Sequence, residues 1–416
     1  MTGAVEVVVP GSKSITIRAL AAASLATGDS TIRNPLDSED SRAASGVMRA
    51  LGASIDSSSE VWAISGVAGR PPPGDVVFDA NESGLTARIG IALAAIRQGR
   101  TVITGRGRLP ERPMSPLLTA LAPWGASARS SPGEWPIEID GTGGRPRGGV
   151  LSVDVSLSTQ PLSAILMVAP LGSDAITVRG HGRRGSWGYV ELTAEVLRAF
   201  GAGITPVADG FVVEPTGLEA ADYKIEPDAS SAVYPFLAAA ITGSRVTVPG
   251  LGATTLQPDY EVVTHLGSMG CLVDGDDFGS SVQGPKSGLQ PIEADLSSCP
   301  DGAVAVAVAC ATADGVSRLS GLHSLRHKES DRVEALVAEL GRVGASVEVE
   351  GDAVVISPAA DLKGGAVDPH GDHRIAMAFG ILSLAQPGIT VGDPGVVAKT
   401  WPGYWEMVDV LRDSVV

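Results

Sequence analysis

The sequence predicts an α/β fold built from a unit of about seventy residues that recurs along the whole chain. Two observations carry the prediction. An amphipathic stretch repeatedly ends in a glycine and then gives way to short runs of alternating hydrophobicity. That is the pattern of a helix closed by a left-handed glycine and followed by hairpin strands. The closing glycines, Gly52, Gly125, Gly201, Gly270 and Gly344, stand 73, 76, 69 and 74 residues apart.

The elements follow in order. Residues 47–52 lead into strands at 53–55 and 61–64, and residues 118–125 into a strand at 135–139. Residues 196–201 precede strands at 203–204 and 211–213, and 262–270 precede 271–273. Residues 335–344 precede 346–349 and 354–356, and a sixth helix at 404–411 falls where the next unit is due. Each unit also carries an earlier helix, as at 14–26, 84–96, 160–171, 229–241 and 372–385.

Composition narrows the function. Gly (52) and Pro (28) make up 80 of 416 residues, yet 44% of the chain is apolar and the breaks are regular, which argues for a folded chain rather than a disordered one. Lys and Arg total 31 against 47 Asp and Glu, and a net charge of −16 disfavours nucleic acid and anionic membrane surfaces as partners. No apolar run approaches the 18 or so residues of a membrane span, and residues 1–14 lack the basic and apolar regions of a signal peptide. Three cysteines, Cys271, Cys299 and Cys310, are odd in number and lack metal-ligand spacing, so a reduced cytoplasm is expected.

Candidate chemistry gathers at helix starts, where unpaired N–H groups and the positive end of the helix dipole attract anions. Pro10-Gly11-Ser12-Lys13-Ser14 is followed by Arg18 on the same helix face; its spacing is not that of a Walker loop. The loop 105–113 carries Arg106, Arg108 and Arg112, which suit a carboxylate or phosphate, or equally a solvated loop. Ser158-Thr159-Gln160 offers two hydroxyls and an amide, or a simple N-cap. In Arg326-His327-Lys328-Glu329-Ser330-Asp331-Arg332 charges crowd closely enough to perturb one another, as acid–base chemistry requires; a charged helix start with surface ion pairs is the plain alternative. Asp372-His373-Arg374 and Ala398-Lys399-Thr400 complete the set. His370 and His373 lack carboxylate or cysteine partners at metal spacing, so no metal is expected.

In this order, the strings Pro10-Gly11-Ser12-Lys13-Ser14, Glu111-Arg112-Pro113, Lys328-Glu329-Ser330-Asp331-Arg332, Asp372-His373-Arg374 and Ala398-Lys399-Thr400 resemble the 5-enolpyruvylshikimate-3-phosphate synthase family, from Val9 to about Tyr404. The resemblance implies a two-domain inside-out α/β barrel of six βαβαββ units. One domain would span 13–226, the other would join 1–12 to 227–416, and the active site would lie in the cleft between them. It implies transfer of the enolpyruvyl group of phosphoenolpyruvate to the 5-hydroxyl of shikimate 3-phosphate with release of phosphate, by a monomer without a cofactor. By resemblance Lys13, Arg112, Arg332, Arg374 and Lys399 hold phosphoenolpyruvate, with Ser83 and Gly84 in the loop beside it. Ser14, Arg18, Ser158, Thr159, Gln160, Ser186 and Tyr189 hold the shikimate phosphate and ring. Asp301 faces the acceptor hydroxyl with Lys328 as its partner, Glu329 carries a proton at C3, and these three are catalytic together with Lys13.

The chain departs from the family pattern in places. The Gly-Asn-Ala/Ser-Gly-Thr loop reads Asn81-Glu82-Ser83-Gly84-Leu85, and Ser324 stands where the acceptor site commonly has Asn. Thr159 replaces a frequent Ser, and the segment Ser186-Trp187-Gly188-Tyr189 alters what lies between its Ser and Tyr. Two rivals follow: a sibling transferase with another small acceptor, and a non-catalytic anion-binding homologue. The sibling acting on UDP-N-acetylglucosamine usually carries a reactive cysteine in a mobile loop, and none of the three cysteines here adjoins the arginine motifs.

Overall fold

Among the described residues, six helices carry almost no polar stripe, and such helices have to be enclosed. A computed structural model describes residues 5–125, 127–128 and 135–415; residues 1–4, the start of the stretch read for a targeting signal, lie outside the described residues. The chain forms two compact units, 11–225, and 1–10 with 226–416.

In unit 11–225 the helices Lys13–Leu25, Gly84–Ile96 and Gln160–Val168 pack on one another at the centre, almost wholly buried. The second helix of each repeat, Glu39–Leu51, Ser115–Leu121 or Gly188–Ala199, buries only part of its surface. Outside lie four-stranded sheets. One runs Val76–Asp79, Gln98–Thr104, Ile137–Thr142, Ser127–Ala128, its first pair parallel across the buried helix and the others antiparallel. That is the βαβαββ order. Gly149–Asp154, Ile176–His181, Gly210–Val213 and Ile204–Val207 repeat it. Strand alternation turns apolar side chains inward, as where Val61–Ser65 buries Trp62 and Ile64.

The remaining sheet of this unit pairs Asp29–Arg33 in parallel with Asp222–Lys224, so a strand from the far end of the segment supplies its first position. The other unit does the same: Val5–Glu6 pairs in parallel with Arg245–Pro249, followed by Gly279–Gln283 and Leu272–Gly275. Its second sheet runs Glu293–Asp295, Ser317–Ser320, Ala353–Ser357, Ser346–Glu350. Its enclosed helices are Ala229–Thr242, Ala303–Cys310 and His373–Ala385. The sixth repeat pairs only Gly365–Val367 with Ile389–Val391 and ends in the helix Tyr404–Val415, so the hairpin expected of a full unit is missing among the described residues.

All five spaced glycines have left-handed backbone, with φ between 80 and 109°. Beyond four of them the next N–H reaches back five residues, as Ala53 does to the Met48 carbonyl and Ala345 to Leu340. Two local readings change. The helix expected over 160–171 gives way after Val168 to a 3-10 turn, Ala169–Leu171, because Pro170 has no N–H to continue it. In the charged segment 326–332 the α-helix begins only at Arg332, where the Asp331 carboxylate caps the N–H groups of Val333 and Glu334.

Candidate active site

The central helices begin at Lys13, Gly84 and Gln160 in one unit and at Ala229, Ala303 and His373 in the other, and the sequence-predicted residues cluster at those starts. In unit 11–225, Ser12 caps the first helix, and Gly11 is required there because a Cβ would stand 2.1 Å from the Asn34 carbonyl oxygen. Lys13 Nζ lies 3.4 Å from Asp40 on the neighbouring helix. Arg18 is 1% exposed; its Nε donates to Thr193 Oγ1 (2.7 Å) and its two Nη groups to the carbonyls of Ser14 (2.9 Å) and Tyr189 (3.3 Å). The guanidinium also lies 5.8 Å from the centre of the Tyr189 ring. None of these partners is a carboxylate, and burial pushes Arg18 down to about 10.

The second helix start repeats the device. Arg88 donates through Nη1 to the Gly84 carbonyl (3.0 Å) and Gln160 Oε1 (2.8 Å), and through Nη2 to the Pro113 carbonyl (3.0 Å). Arg112 is buried beside it: a Cβ on Gly84 would meet Arg112 Nη1 at 2.6 Å and Arg88 Nη1 at 2.9 Å, so only glycine lets both cations close on this helix end. Burial first, and the neighbouring Arg112 second, push Arg88 down to about 9. Two buried like charges at a positive helix end attract a dianion. Thr159 donates to the Ser186 carbonyl (3.1 Å), Ser158 Oγ accepts from the Gln160 N–H (3.2 Å), and Thr86 donates to Ser83 (2.8 Å).

A bound anion favours protonated Arg88, so binding and protonation are linked. Burial and Arg112 push Arg88 down to about 9 and a bound anion would raise it again, so affinity is expected to fall as pH rises through about 9. Calorimetric titration with inorganic phosphate between pH 8 and 10 is expected to show this loss, and Arg88→Met to flatten it between pH 8.5 and 9.5, whereas equal slopes in both proteins would refute the assignment.

In the other unit charge is balanced within the site. Asp301 accepts from Lys328 Nζ at 3.1 Å and Arg332 Nη1 at 2.9 Å, and Arg374 Nη2 lies 3.6 Å away. Arg332 also pairs with Glu329 at 3.0 Å and Asp372 at 2.8 Å. Burial alone would lower the Arg332 pKa; Asp372, Glu329 and Asp301 more than offset it and raise it. Asp372 caps its helix at the Arg374 N–H (2.9 Å) and accepts from Ser330 Oγ (3.0 Å). Arg374 donates to the Ser230 carbonyl at 2.8 Å, and burial pushes the adjacent Tyr234 up to about 12 despite that cation. Lys399, the last residue of the 3-10 helix Pro394–Lys399, is buried as well. Arg332 is 1% exposed, whereas Asp301, Glu329 and Lys328 retain 18, 12 and 22% at their side chains. The groups suited to proton exchange are therefore the reachable ones, and the arginine behind them holds their geometry.

Other predicted residues stand apart. Ser324 lies half-buried in the 3-10 helix His323–His327 and joins none of these hydrogen bonds. Arg108 pairs with Glu111 at the surface (2.8 Å), leaving Arg112 as the arginine of its loop beside Gly84. Glu82 rests on Gly107, where a Cβ would meet its Oε1 at 2.7 Å, and Leu85 is 7% exposed. Burial pushes the Cys271 and Cys310 thiols up to about 12 and raises Cys299 too, which makes all three poor nucleophiles. Among the described residues no group of three or more His, Cys, Asp or Glu side chains is placed to hold a metal ion. Arg88, Thr193 and Ser230 were not among the predicted site residues, and Asp372, part of a candidate string, proves to be a helix cap that also pairs with Arg332. Arg88 had a signal: like Arg18, it falls four residues after a small residue at an enclosed helix start, and both donate to that residue's carbonyl.

Sheets wrapped round enclosed helices, with cations collected at the helix starts, define an inside-out α/β protein suited to small anions. A family model described as EPSP synthase (3-phosphoshikimate 1-carboxyvinyltransferase) matches residues 2–408. A 3-phosphoshikimate 1-carboxyvinyltransferase of Methanoculleus marisnigri is 40% identical over 413 residues, covering 97% of this chain and 96% of the relative. One from Vibrio atlanticus is 35% identical over 415 residues, covering 98% and 96%. The solved EPSP synthase of Acinetobacter baumannii superposes with a TM-score of 0.80 at 26% identity, covering 97% of this chain and 94% of that one. The chain belongs to the EPSP synthase family. Among the described residues, no helix is long and apolar enough to cross a membrane.

Proposed function

We propose that the chain carries out its family's reaction, transferring the enolpyruvyl group of phosphoenolpyruvate to the 5-hydroxyl of shikimate 3-phosphate and releasing phosphate. The observation that carries the residue assignment is the Asp301 carboxylate, held by Lys328, Arg332 and Arg374 beside Glu329. Lys13, Arg112, Arg332, Arg374 and Lys399 hold phosphoenolpyruvate. Ser14, Arg18, Ser158, Thr159, Gln160, Ser186 and Tyr189 hold shikimate 3-phosphate, and Arg88 joins the cations at the Gly84 helix start.

The acceptor oxygen bonds to C2 of phosphoenolpyruvate while its proton passes to the Asp301–Lys328 pair. C3 gains a proton from Glu329 in the same stage. Phosphate then leaves C2 with the hydroxyl proton, and Glu329 recovers its proton from C3 as the vinyl group re-forms. Fixed cations stabilise charge gathering on the departing phosphate. We place the chain in the cytoplasm, where its three buried free thiols stay reduced.

Mixing the protein with phosphoenolpyruvate and shikimate 3-phosphate is expected to release phosphate and give new vinyl proton signals. No turnover would overturn the proposal, and turnover only with another acceptor would overturn the acceptor. Glyphosate, which in this family occupies the phosphoenolpyruvate pocket, is expected to inhibit weakly, because Leu85 and Glu82 replace the hydroxyl and amide of the family loop. The pair Glu82→Asn and Leu85→Thr is expected to tighten inhibition about tenfold, or about 1.4 kcal/mol. Unchanged inhibition constants in that variant would reject the explanation.

A further inference from the structure

At the far end of the enclosed helices of unit 11–225, about 20 Å from their starts by the rise of thirteen residues, lies a cavity of about 660 Å³. Its size falls within the range of small-molecule sites. Segments from all three repeats line it, among them Arg70, Arg97 and Arg145, and no carboxylate does, in a chain with 16 excess negative charges. Helix carboxyl ends are partly negative, and arginines placed there commonly serve as dipole partners. Backbone groups already meet that need: Gly69 N–H donates to the Leu25 carbonyl (2.8 Å), Gly143 to Arg97 (3.2 Å) and Gly217 to Pro170 (2.8 Å).

Arg97 is 4% exposed and fixed in place, donating to the carbonyls of Gly74 (2.6 Å) and Pro72 (3.2 Å) and to Thr101 Oγ1 (2.9 Å). Among the described residues its Nε has no hydrogen-bond partner, and Asp75 acts on it through its field. Arg70 and Arg145 are exposed and free to turn toward a ligand. Pro71, Pro73 and Pro146 stiffen the rim.

We propose that this cavity is a second anion site, for a small molecule carrying at least two phosphate or carboxylate groups, separate from the helix starts that serve the reaction. Calorimetric titration with inorganic pyrophosphate is expected to resolve two classes of sites, one displaced by phosphoenolpyruvate and one retained. Arg70→Glu with Arg145→Glu is expected to weaken the retained class at least about tenfold, since charge-assisted hydrogen bonds are lost, while kcat stays within about twofold. Citrate binding to the retained class more tightly than pyrophosphate keeps the site and assigns it to carboxylates. Displacement of all bound pyrophosphate by phosphoenolpyruvate, with no citrate retained, would overturn the proposal. So would a retained class indifferent to the double substitution. The turnover assay reads the reaction separately, so neither failure can be mistaken for the other.

Discussion

Arg332→Met is expected to cost about 3–5 kcal/mol of stability and to abolish turnover, because it removes the cation shared by Asp301, Glu329 and Asp372 and takes the guanidinium from the fully buried Asp372. For a unit of roughly 200 residues that corresponds to a fall of about 6–20 °C in the melting temperature. Arg332→Lys is expected to rescue little, since an ammonium cannot span the four hydrogen bonds that the guanidinium makes to three carboxylates. Thermal unfolding followed by circular dichroism checks the first effect and phosphate release the second. A melting temperature unchanged in Arg332→Met would show that the network contributes nothing to the fold.

Glu329→Gln separates chemistry from stability. The amide keeps the size of the side chain and one acceptor for Arg332, so the fold should survive, but it cannot carry a proton to C3. A fall in kcat of about 10²–10⁴ is expected, with the KM for phosphoenolpyruvate nearly unchanged, as for loss of a general acid–base group. Steady-state kinetics decide it. If kcat stays within tenfold while KM rises, Glu329 binds substrate and another group carries the proton.

Signals confined to a few neighbouring residues were legible in the sequence. A glycine that ends a helix leaves its mark within one turn, so the repeats emerged from five glycines and the short alternating runs after them. Helix starts could be read for the same reason, and Lys13, Gly84, Gln160 and Arg374 lie at or next to observed ones. The bond from Arg332 to Asp372 joins residues 40 apart, and that from Arg374 to Ser230 joins residues 144 apart, so nothing local announces either. Arg88 was only partly legible: its spacing from Gly84 is local, but an arginine in an apolar helix is costly without its partners, and two of its three, Gln160 and Pro113, lie on other segments. The strands Val5–Glu6 and Asp222–Lys224 are too short to show alternation, and each acquires its meaning from a partner about 190 residues or more away.

Those two borrowed strands set an order on synthesis. All of 11–225 can close as soon as its own last strand leaves the ribosome. Val5–Glu6, made before that unit, must wait for Arg245–Pro249, a delay of roughly 12–50 s at 5–20 residues per second. The later-starting unit therefore finishes first, and the strand Val5–Glu6, made before it, pairs after it has closed.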